Sequence, residues 1–381
     1  MTAKQIRNFI IKNKKDSALL IGNGINRHAE TGCSWDSLLK ALAKVYCPNL
    51  CFEQLPTGIS NTEFFDLLEI SYLKDIPIFD KEEFEKQSVS LSMHRETLDR
   101  ISESIHNYAL RTPVKLADLN QYKEAVQKNS QEFSKLSETS DFNFITTIAS
   151  MGNKKFSAIV RSKFITTICA YMKKWEYQPL HQQVALFAHK YHLPILTTNY
   201  DTLLEDSVNA SEHNYKHESS SENFPISLSY TNDKVSAYNG FGIWHVNGVI
   251  NYPKSILIGL THYMRAIEYV RNLLFPPNKF DAEIIQNQWN NPVKDTWIDI
   301  LLSKHLVILG LSLDKDETLL RWLLIQRAKF YAMFHYTQKR GFYIVPESEA
   351  LEDGKVLFFK TVGIDVVRVK DYESVYKIIS A

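Results

Sequence analysis

A short apolar run, Leu193 to Thr197, ends abruptly in two polar side chains, Asn199 and Asp201. The run has the length and composition of a buried strand, so it predicts a strand whose carboxyl end presents an amide and a carboxylate. In open α/β sheets, ligands bind in the crevice outside the carboxyl ends of the strands. The stretch therefore predicts both a class of fold and the place of a ligand site within it.

Further apolar runs end in glycine or in polar residues in the same way. One leads into Gly22, Asn23, Gly24 and Asn26, one contains His245 and Asn247, and a late one leads into Gly310, Ser312, Asp314 and Asp316. Six or seven such runs alternate with helical patterns, which predicts an α/β fold with a doubly wound, Rossmann-like parallel sheet. Residues Ser255–Gly259 are among the predicted strands, and Asp314 or Asp316 is predicted to cap the helix that contains Leu319.

The segment between Gly58 and Gly152 contains no glycine, and its only prolines are Pro77 and Pro113. Leu, Ile, Phe, Glu, Lys and Gln dominate it, and this composition is typical of helices. We therefore predict a large all-helical insertion at about residues 53–175, within a single domain of residues 1–381. Such an insertion can cover a pocket, bind a partner or form an oligomer contact.

The charges are balanced, with 44 Lys and Arg against 43 Asp and Glu. No field of one sign therefore draws the chain onto nucleic acid or an anionic membrane, and we predict neither partner. No run of eighteen apolar residues occurs, and the first residues lack the apolar segment of a signal peptide. We expect a cytoplasmic protein.

The cysteines are few and are not spaced as metal ligands. Cys33, Cys47, Cys51 and Cys169 form no Cys-x-x-Cys pair, the spacing that structural zinc sites commonly use. The sequence therefore supports neither a disulfide framework nor a zinc site, and we predict no metal.

Gly22 and Gly24 lie between the first predicted strand and a helix. Glycines at such a turn let the backbone bend sharply and approach a phosphate, which amide groups at the helix start can bind. The spacing is Gly-x-Gly without the third glycine of the dinucleotide fingerprint. A plain tight turn explains the pair equally well.

Taken together, four motifs resemble those of the sirtuin-like NAD-binding superfamily. They are Ile21–Asn26, Thr197–Asp201, Gly242–Gly248 and Leu309–Asp316. The resemblance covers about residues 15–45 and 178–370 and leaves out the predicted insertion. The first, second and fourth motifs, together with Cys33–Leu39, look most like the bacterial anti-phage defence branch, and the absence of zinc knuckles also argues against a protein deacylase.

The resemblance implies hydrolysis of NAD to nicotinamide and ADP-ribose. This reaction passes through an oxocarbenium-like state, as glycoside cleavage does, so the site must hold the ribose and aim a water molecule. Asn199 is suited to orienting the water or a ribose hydroxyl, and Asp201 to accepting a hydrogen bond from the nicotinamide carboxamide. His245 is the predicted general base or ribose partner.

The resemblance also implies a set of NAD-binding residues. The pyrophosphate is expected at the glycine turn, the adenosine ribose at Ser312, and the loop with Trp35 over the nicotinamide side. The full predicted binding set is Gly22, Asn23, Gly24, Ile25, Asn26, Trp35, Thr198, Asn247, Gly310, Ser312 and Asp316.

One position departs from the family pattern. Many relatives place a histidine immediately before the glycine of the third motif, whereas this chain has Asn247 before Gly248. His245 lies two residues earlier, on the same face of the predicted strand. Either His245 takes the catalytic role, which we favour, or Asn247 occupies the catalytic position and the chemistry is altered. His245 would otherwise only satisfy a buried backbone group.

Two functions from different classes follow. The first is an NADase effector of a bacterial anti-phage defence system, activated by assembly or by a partner because unrestrained NAD hydrolysis would harm its own cell. The expected assembly is a homo-oligomer, and relatives of this length work with partners such as a HerA-type hexameric ATPase. The second is a non-catalytic module that senses NAD or ADP-ribose. A deacylase or a nuclease finds less support.

Overall fold

The computed structural model describes residues 2–29, 35–46, 59–75, 165–166, 168–214, 225–233, 237–275, 293–335 and 338–379. Most of them belong to one compact unit, formed by Met1–Ser71 together with Ile165–Ala381. The predicted helical insertion lies mainly outside the described residues. Within its predicted bounds the structure describes one long helix, Asn61–Asp75, and the residues that follow Phe164.

A single eight-stranded sheet organises this unit. Its strands are β1 Ser17–Ile21, β2 Pro194–Thr197, β3 Ser211–Asn214, β4 Leu228–Thr231, β5 Gly242–His245, β6 His305–Leu309, β7 Gly341–Pro346 and β8 Ile364–Val369. The spatial order is β3-β4-β5-β2-β1-β6-β7-β8. Six neighbouring strands run parallel to one another, in the order β5, β2, β1, β6, β7 and β8. Those six reproduce the doubly wound order of Rossmann folds, which confirms the predicted fold class.

β3 and β4 form an antiparallel hairpin that extends the sheet beyond β5. The helices are α1 Ala3–Lys12, α2 Gly24–Ala29, α3 Trp35–Tyr46, α4 Asn61–Asp75, α5 Pro179–Tyr191, α6 Leu203–Asp206, α7 Leu260–Leu274, α8 Trp297–Ser303, α9 Thr318–Met333, α10 Asp353–Thr361 and α11 Tyr372–Lys377. None of the helices in this described part of the chain combines the length and apolar character that a membrane crossing requires.

The sheet is buried on both faces, as expected for parallel strands covered by helices. Side chains of β1 alternate between two apolar clusters: Ala18 and Leu20 pack in one, Leu19 and Ile21 in the other. Every residue of β1 is buried. This explains why the strands read as continuous apolar runs, and it leaves the loops at the carboxyl ends as the places where polar groups gather.

The predicted strand at Ser255–Gly259 is wrong. Pro253–Ser255 form a turn of 3-10 helix, and Ile256–Ile258 are buried without joining the sheet. β5 is already paired with β2 on one side and β4 on the other, so no edge is free for this segment. The backbone N–H of Leu257 instead donates to the carbonyl of Asn247, 2.8 Å away.

The predicted cap of α9 is also wrong. The helix begins at Thr318, and the residue before it makes no side-chain capping bond. Asp316 Oδ2 accepts a hydrogen bond from the backbone N–H of Asn61 at 2.9 Å, and Asp314 pairs with Lys355 at 2.8 Å. Both carboxylates are therefore engaged by other elements.

Candidate functional site

A cavity of about 510 Å³ opens at the carboxyl ends of the central strands. The loops after β1, β2, β5, β6 and β7 line it, together with the first turns of α4 and residues of α11. β1 stands between β2 and β6, where the chain reverses its direction of travel across the sheet. Ligands of doubly wound sheets bind at this switch point, and the volume lies within the usual range for ligand pockets.

Gly22 and Gly24 form the turn after β1, and they allow close contact with the loop after β6. A Cβ atom on Gly24 would lie 2.5 Å from Gly310 Cα, and one on Gly22 would lie 2.5 Å from the Gly310 oxygen. The N–H of Gly24 donates to the Gly310 carbonyl at 2.7 Å. The packing of two backbone turns therefore accounts for both glycines, while Asn23 and Gly24 also reach the cavity wall.

Asp201 belongs to one of two hydrogen-bonded sets of side chains, Asn26 with His181 and Asp201, and Glu205 with His245, which are together called the closed network. Asn26 Nδ2 donates to Asp201 Oδ2 at 2.8 Å, and the Leu203 N–H donates to Oδ1 at 3.3 Å. Burial raises the pKa of Asp201 to about 6, although these donors oppose the change. Asp201 therefore acts as an acceptor inside the protein.

His181 supports Asn26 from the other side. Its Nδ1 accepts from the Gln178 N–H at 3.0 Å, so Nε2 carries the proton and donates to Asn26 Oδ1 at 2.9 Å. Burial lowers the pKa of His181 to about 4, so the ring is neutral near pH 7. The chain of bonds fixes which oxygen and nitrogen of the Asn26 amide face each partner.

His245 is the second half of the closed network. Its Nδ1 donates to the backbone carbonyl of Asn199 at 2.7 Å, and its Nε2 bonds Glu205 Oε1 at 2.8 Å. Both side chains of this ion pair are 3% exposed. Burial alone would lower the pKa of His245, but the Glu205 carboxylate, the Asn199 carbonyl and Asp201 together outweigh it and raise the pKa. Both ring nitrogens are thus occupied by protein groups.

Asn199, Asn247 and Glu317 form a contrasting set, here called the open cluster. Both polar atoms of the Asn199 amide, Oδ1 of Asn247 and Oε2 of Glu317 are buried without a hydrogen-bond partner among the described residues. Asn247 and Glu317 line the cavity, and Asn199 lies between Thr198 and Tyr200, which also line it. Buried polar atoms in native proteins rarely stay unpaired, so this set points to a ligand or ordered water.

Glu317 is partly exposed to the cavity, although its Oε2 atom is buried. Burial raises its pKa to about 7; a hydrogen bond from Asn247 lowers it, whereas the neighbouring Asp316 and Asp314 raise it further. A carboxyl group with this pKa exchanges its proton near neutral pH, the property required of a general acid or base.

His245 and Asn247 do not share a strand face as predicted. β5 ends at His245, and the next residues form a turn that leads to Gly248, whose φ is +92°. The alternation of side chains therefore stops before Asn247. His245 enters the closed network, while Asn247 reaches the cavity.

The other predicted site residues divide between the cavity wall and the interior. Those on the wall are Asn23, Gly24, Thr198, Asn247, Gly310, Ser312 and Asp316. Gly22, Ile25, Asn26, Asp201 and His245 are buried and absent from the wall, with Ile25 in the apolar core. Trp35 begins α3, but its side chain lies outside the described residues.

Sequence reasoning missed Glu317, and it missed His181 and Glu205 as partners of the predicted residues. The only sequence signal near Glu317 is an acidic run before a helix, from which Asp314 or Asp316 is predicted as the cap. Within the described ranges, no group of His, Cys, Asp and Glu residues is arranged to hold a metal ion.

The strand order and the cavity at the switch point define an α/β protein of the Rossmann-like class. Residues 194–367 match the family model described as the SIR2-like domain, which spans the sheet from β2 into β8 and somewhat under half of the chain. The match supports the sirtuin-like superfamily and, with it, an activity related to NAD. A comparison with curated proteins gave no match.

Proposed function

We propose that this protein is an NAD glycohydrolase, which cleaves NAD to nicotinamide and ADP-ribose. The observation that carries the proposal is the open cluster, in which the Asn199 amide and Glu317 Oε2 lack partners among the described residues beside a cavity at the strand ends. The SIR2-like match over residues 194–367 supports NAD as the ligand.

The chemistry asks little of the protein beyond orientation and proton transfer. The bond between nicotinamide nitrogen and ribose C1′ breaks, and nicotinamide leaves with the bonding electron pair. Water adds to C1′ and loses a proton. The Asn199 amide can donate and accept at once, so we assign it to the water or to a ribose hydroxyl.

Asp201 and His245 support this assignment indirectly. His245 holds the backbone carbonyl of Asn199 at 2.7 Å, and Asp201 holds the Leu203 N–H that follows. We therefore assign both as positioning residues for the loop that carries Asn199. The direct roles expected for them, on the carboxamide and in proton transfer, would require a free polar atom, whereas both carboxylate oxygens of Asp201 and both ring nitrogens of His245 are already bonded within the protein.

Non-catalytic sensing of NAD or ADP-ribose is the second candidate. The observation that favours it is the asparagine at position 247 on the cavity wall, where many sirtuin-like relatives carry histidine. A sensor would bind NAD and return it intact. The wild-type turnover measurement described below separates the two functions.

We further propose that the enzyme serves as an effector of bacterial anti-phage defence, restrained until it assembles. This rests on the resemblance of the motifs to that branch of the superfamily. A homo-oligomer and a HerA-type hexameric ATPase are the proposed partners, and the predicted helical insertion is the proposed place of contact.

The test is incubation with NAD, with nicotinamide and ADP-ribose quantified by chromatography, for the protein alone and with the ATPase. Asn199→Ala should reduce turnover by about a hundredfold or more, the scale of losing one oriented group at the reacting centre. Asp365→Asn is the matched control, because Asp365 lies exposed on β8 and pairs with Arg340. If no assembly state turned over NAD, the NADase function would be rejected and the sensor function would be favoured.

A further inference from the structure

We propose that Glu317 is the general base of the reaction, held by Asn247, and that this pair replaces the histidine that many relatives carry at position 247. The inference rests on the proposed function, since it names the residue that accepts the proton of the attacking water. It also explains how the site could work with asparagine in that position.

Position is the first argument. Glu317 directly precedes α9, and Asn247 follows β5, yet both line the same cavity at the switch point. The side chain of Asn247 hydrogen-bonds the Glu317 carboxyl group. Both side chains therefore face the space in which a ligand at the strand ends would lie.

The unpaired atoms are the second argument. Glu317 Oε2 and Asn247 Oδ1 are both buried and have no partner within the described ranges. A carboxylate oxygen accepts hydrogen bonds, so Oε2 is free to accept one from a water molecule. The bond from Asn247 fixes the orientation of the carboxylate while leaving this oxygen available.

The competing candidate is His245, whose ring has no free nitrogen. Nδ1 donates to a backbone carbonyl and Nε2 bonds Glu205, and His245 is 5% exposed. It could take a proton from water only after breaking a buried ion pair, which is costly. Glu317 needs no such rearrangement.

The proposed step is balanced in atoms and charge. One Oε2 lone pair of ionised Glu317 takes a water proton while the water oxygen bonds C1′ and the C1′–N bond breaks. The products are ADP-ribose, neutral nicotinamide and a protonated Glu317, which returns its proton to solvent. Other charged and titratable groups near Glu317 are Asp314 and Asp316 of its own loop, with Tyr200 and Tyr263 from facing elements.

The first experiment is the pH profile of kcat/KM for NAD. The wild type should lose activity below about pH 7, because the pKa of Glu317 is about 7 and only the ionised group accepts a proton. Glu317→Gln should reduce kcat by about a hundredfold to ten-thousandfold and abolish this inflection. Asp365→Asn should keep both the rate and the profile of the wild type.

A second measurement uses Glu317→Ala with added sodium formate, a small carboxylate that can enter the vacated space. Partial recovery of turnover with formate, absent in Asn199→Ala, is expected if position 317 supplies a base. A Glu317→Gln variant that keeps the wild-type rate and inflection would overturn the inference while leaving the NADase intact.

Infrared difference spectra provide a readout that does not depend on turnover. The carboxyl band of Glu317, identified by its absence in Glu317→Gln, should shift when NAD binds to the wild type. A shift without NAD cleavage would show that Glu317 contacts the ligand of a sensor, which rejects the base role together with the NADase. No shift in a protein that cleaves NAD would reject the inference alone.

Discussion

The closed network and the open cluster lie at the same end of the same sheet, and each contains a carboxyl group whose pKa is raised by burial. Burial raises the pKa of Asp201 to about 6 and that of Glu317 to about 7. The two sites differ in how their remaining hydrogen bonds are met. Asp201 has a donor on each oxygen, whereas Glu317 Oε2 has none among the described residues.

This difference distinguishes side chains that hold the loops of the site in position from side chains that can act on a ligand. A buried polar network in which the members satisfy one another holds a single geometry, and its cost of burial is offset inside the protein. Unpaired buried atoms leave that cost in place until a ligand or water arrives. Among the described residues, Glu205 Oε2 is the one side-chain oxygen of the closed network without a partner, so this network should contribute to stability, whereas the open cluster should reduce it.

The largest expected effect is on stability, from His245→Ala in the closed network. Removing the histidine leaves the Glu205 carboxylate buried and unpaired, which should cost about 3–5 kcal/mol in free energy of unfolding. Urea denaturation followed by circular dichroism measures it. Lys377→Ala, which removes an exposed partner of Glu373, is the matched control and should cause no measurable change.

The pH dependence of that loss gives a further check. The pKa of His245 is raised in the folded state from 6.5, so the ion pair is complete below pH 6.5. Its contribution disappears as the pH rises through the folded-state pKa. The cost of His245→Ala should therefore be larger at pH 6 than at pH 9, and an equal cost at both would contradict a charged His245.

In alkaline solution, Glu317→Gln should increase the free energy of unfolding, whereas His245→Ala should decrease it. The folded-state pKa of about 7 exceeds the ordinary 4.5, so the native protein loses stability as the pH rises from 4.5 through 7. The glutamine variant avoids this loss and should be more stable than the wild type by about 1–2 kcal/mol at pH 8. This value is smaller than the full pKa difference implies, because water in the cavity screens the charge. At pH 4 the two proteins should be equally stable. Thermal unfolding at both pH values measures it, and a variant less stable at pH 8 would contradict the buried charge.

Local patterns were sufficient to predict most of the fold. Apolar runs correctly predicted the strand within Leu193–Thr197 and the strand before Gly310. A strand that is buried on both faces is apolar along its whole length, so its composition identifies it without knowledge of its neighbours. The same property misled at Ser255–Gly259, which is equally apolar. Whether such a segment joins a sheet depends on a free edge, and β5 had none.

The roles of the site residues were harder to predict, because they depend on contacts between segments that are distant in the sequence. Asn199 was recognised from its place at a strand tip, a local signal. The roles of His245 and Asn247 depend on where β5 ends, because the strand stops at His245, two residues before Asn247, and only Asn247 lines the cavity. Glu317 had no local signal, because its raised pKa comes from burial beside Asn247, seventy positions earlier in the chain.

The smallest expected effect comes from Asn199→Leu in the open cluster. Asn199 is 3% exposed, and neither polar atom of its side chain has a partner in the described part of the protein. A leucine of similar size removes the cost of burying those atoms, so the ligand-free protein should gain about 1 kcal/mol of stability. Thermal unfolding without ligand should show the gain, and ADP-ribose should stabilise the variant less than the wild type. Asn26→Leu, which breaks two bonds of the closed network, is the matched control and should be destabilising. If Asn199→Leu lost as much stability as Asn26→Leu, the Asn199 amide would be a structural group like that of Asn26. The distinction between the closed network and the open cluster would then not hold for Asn199.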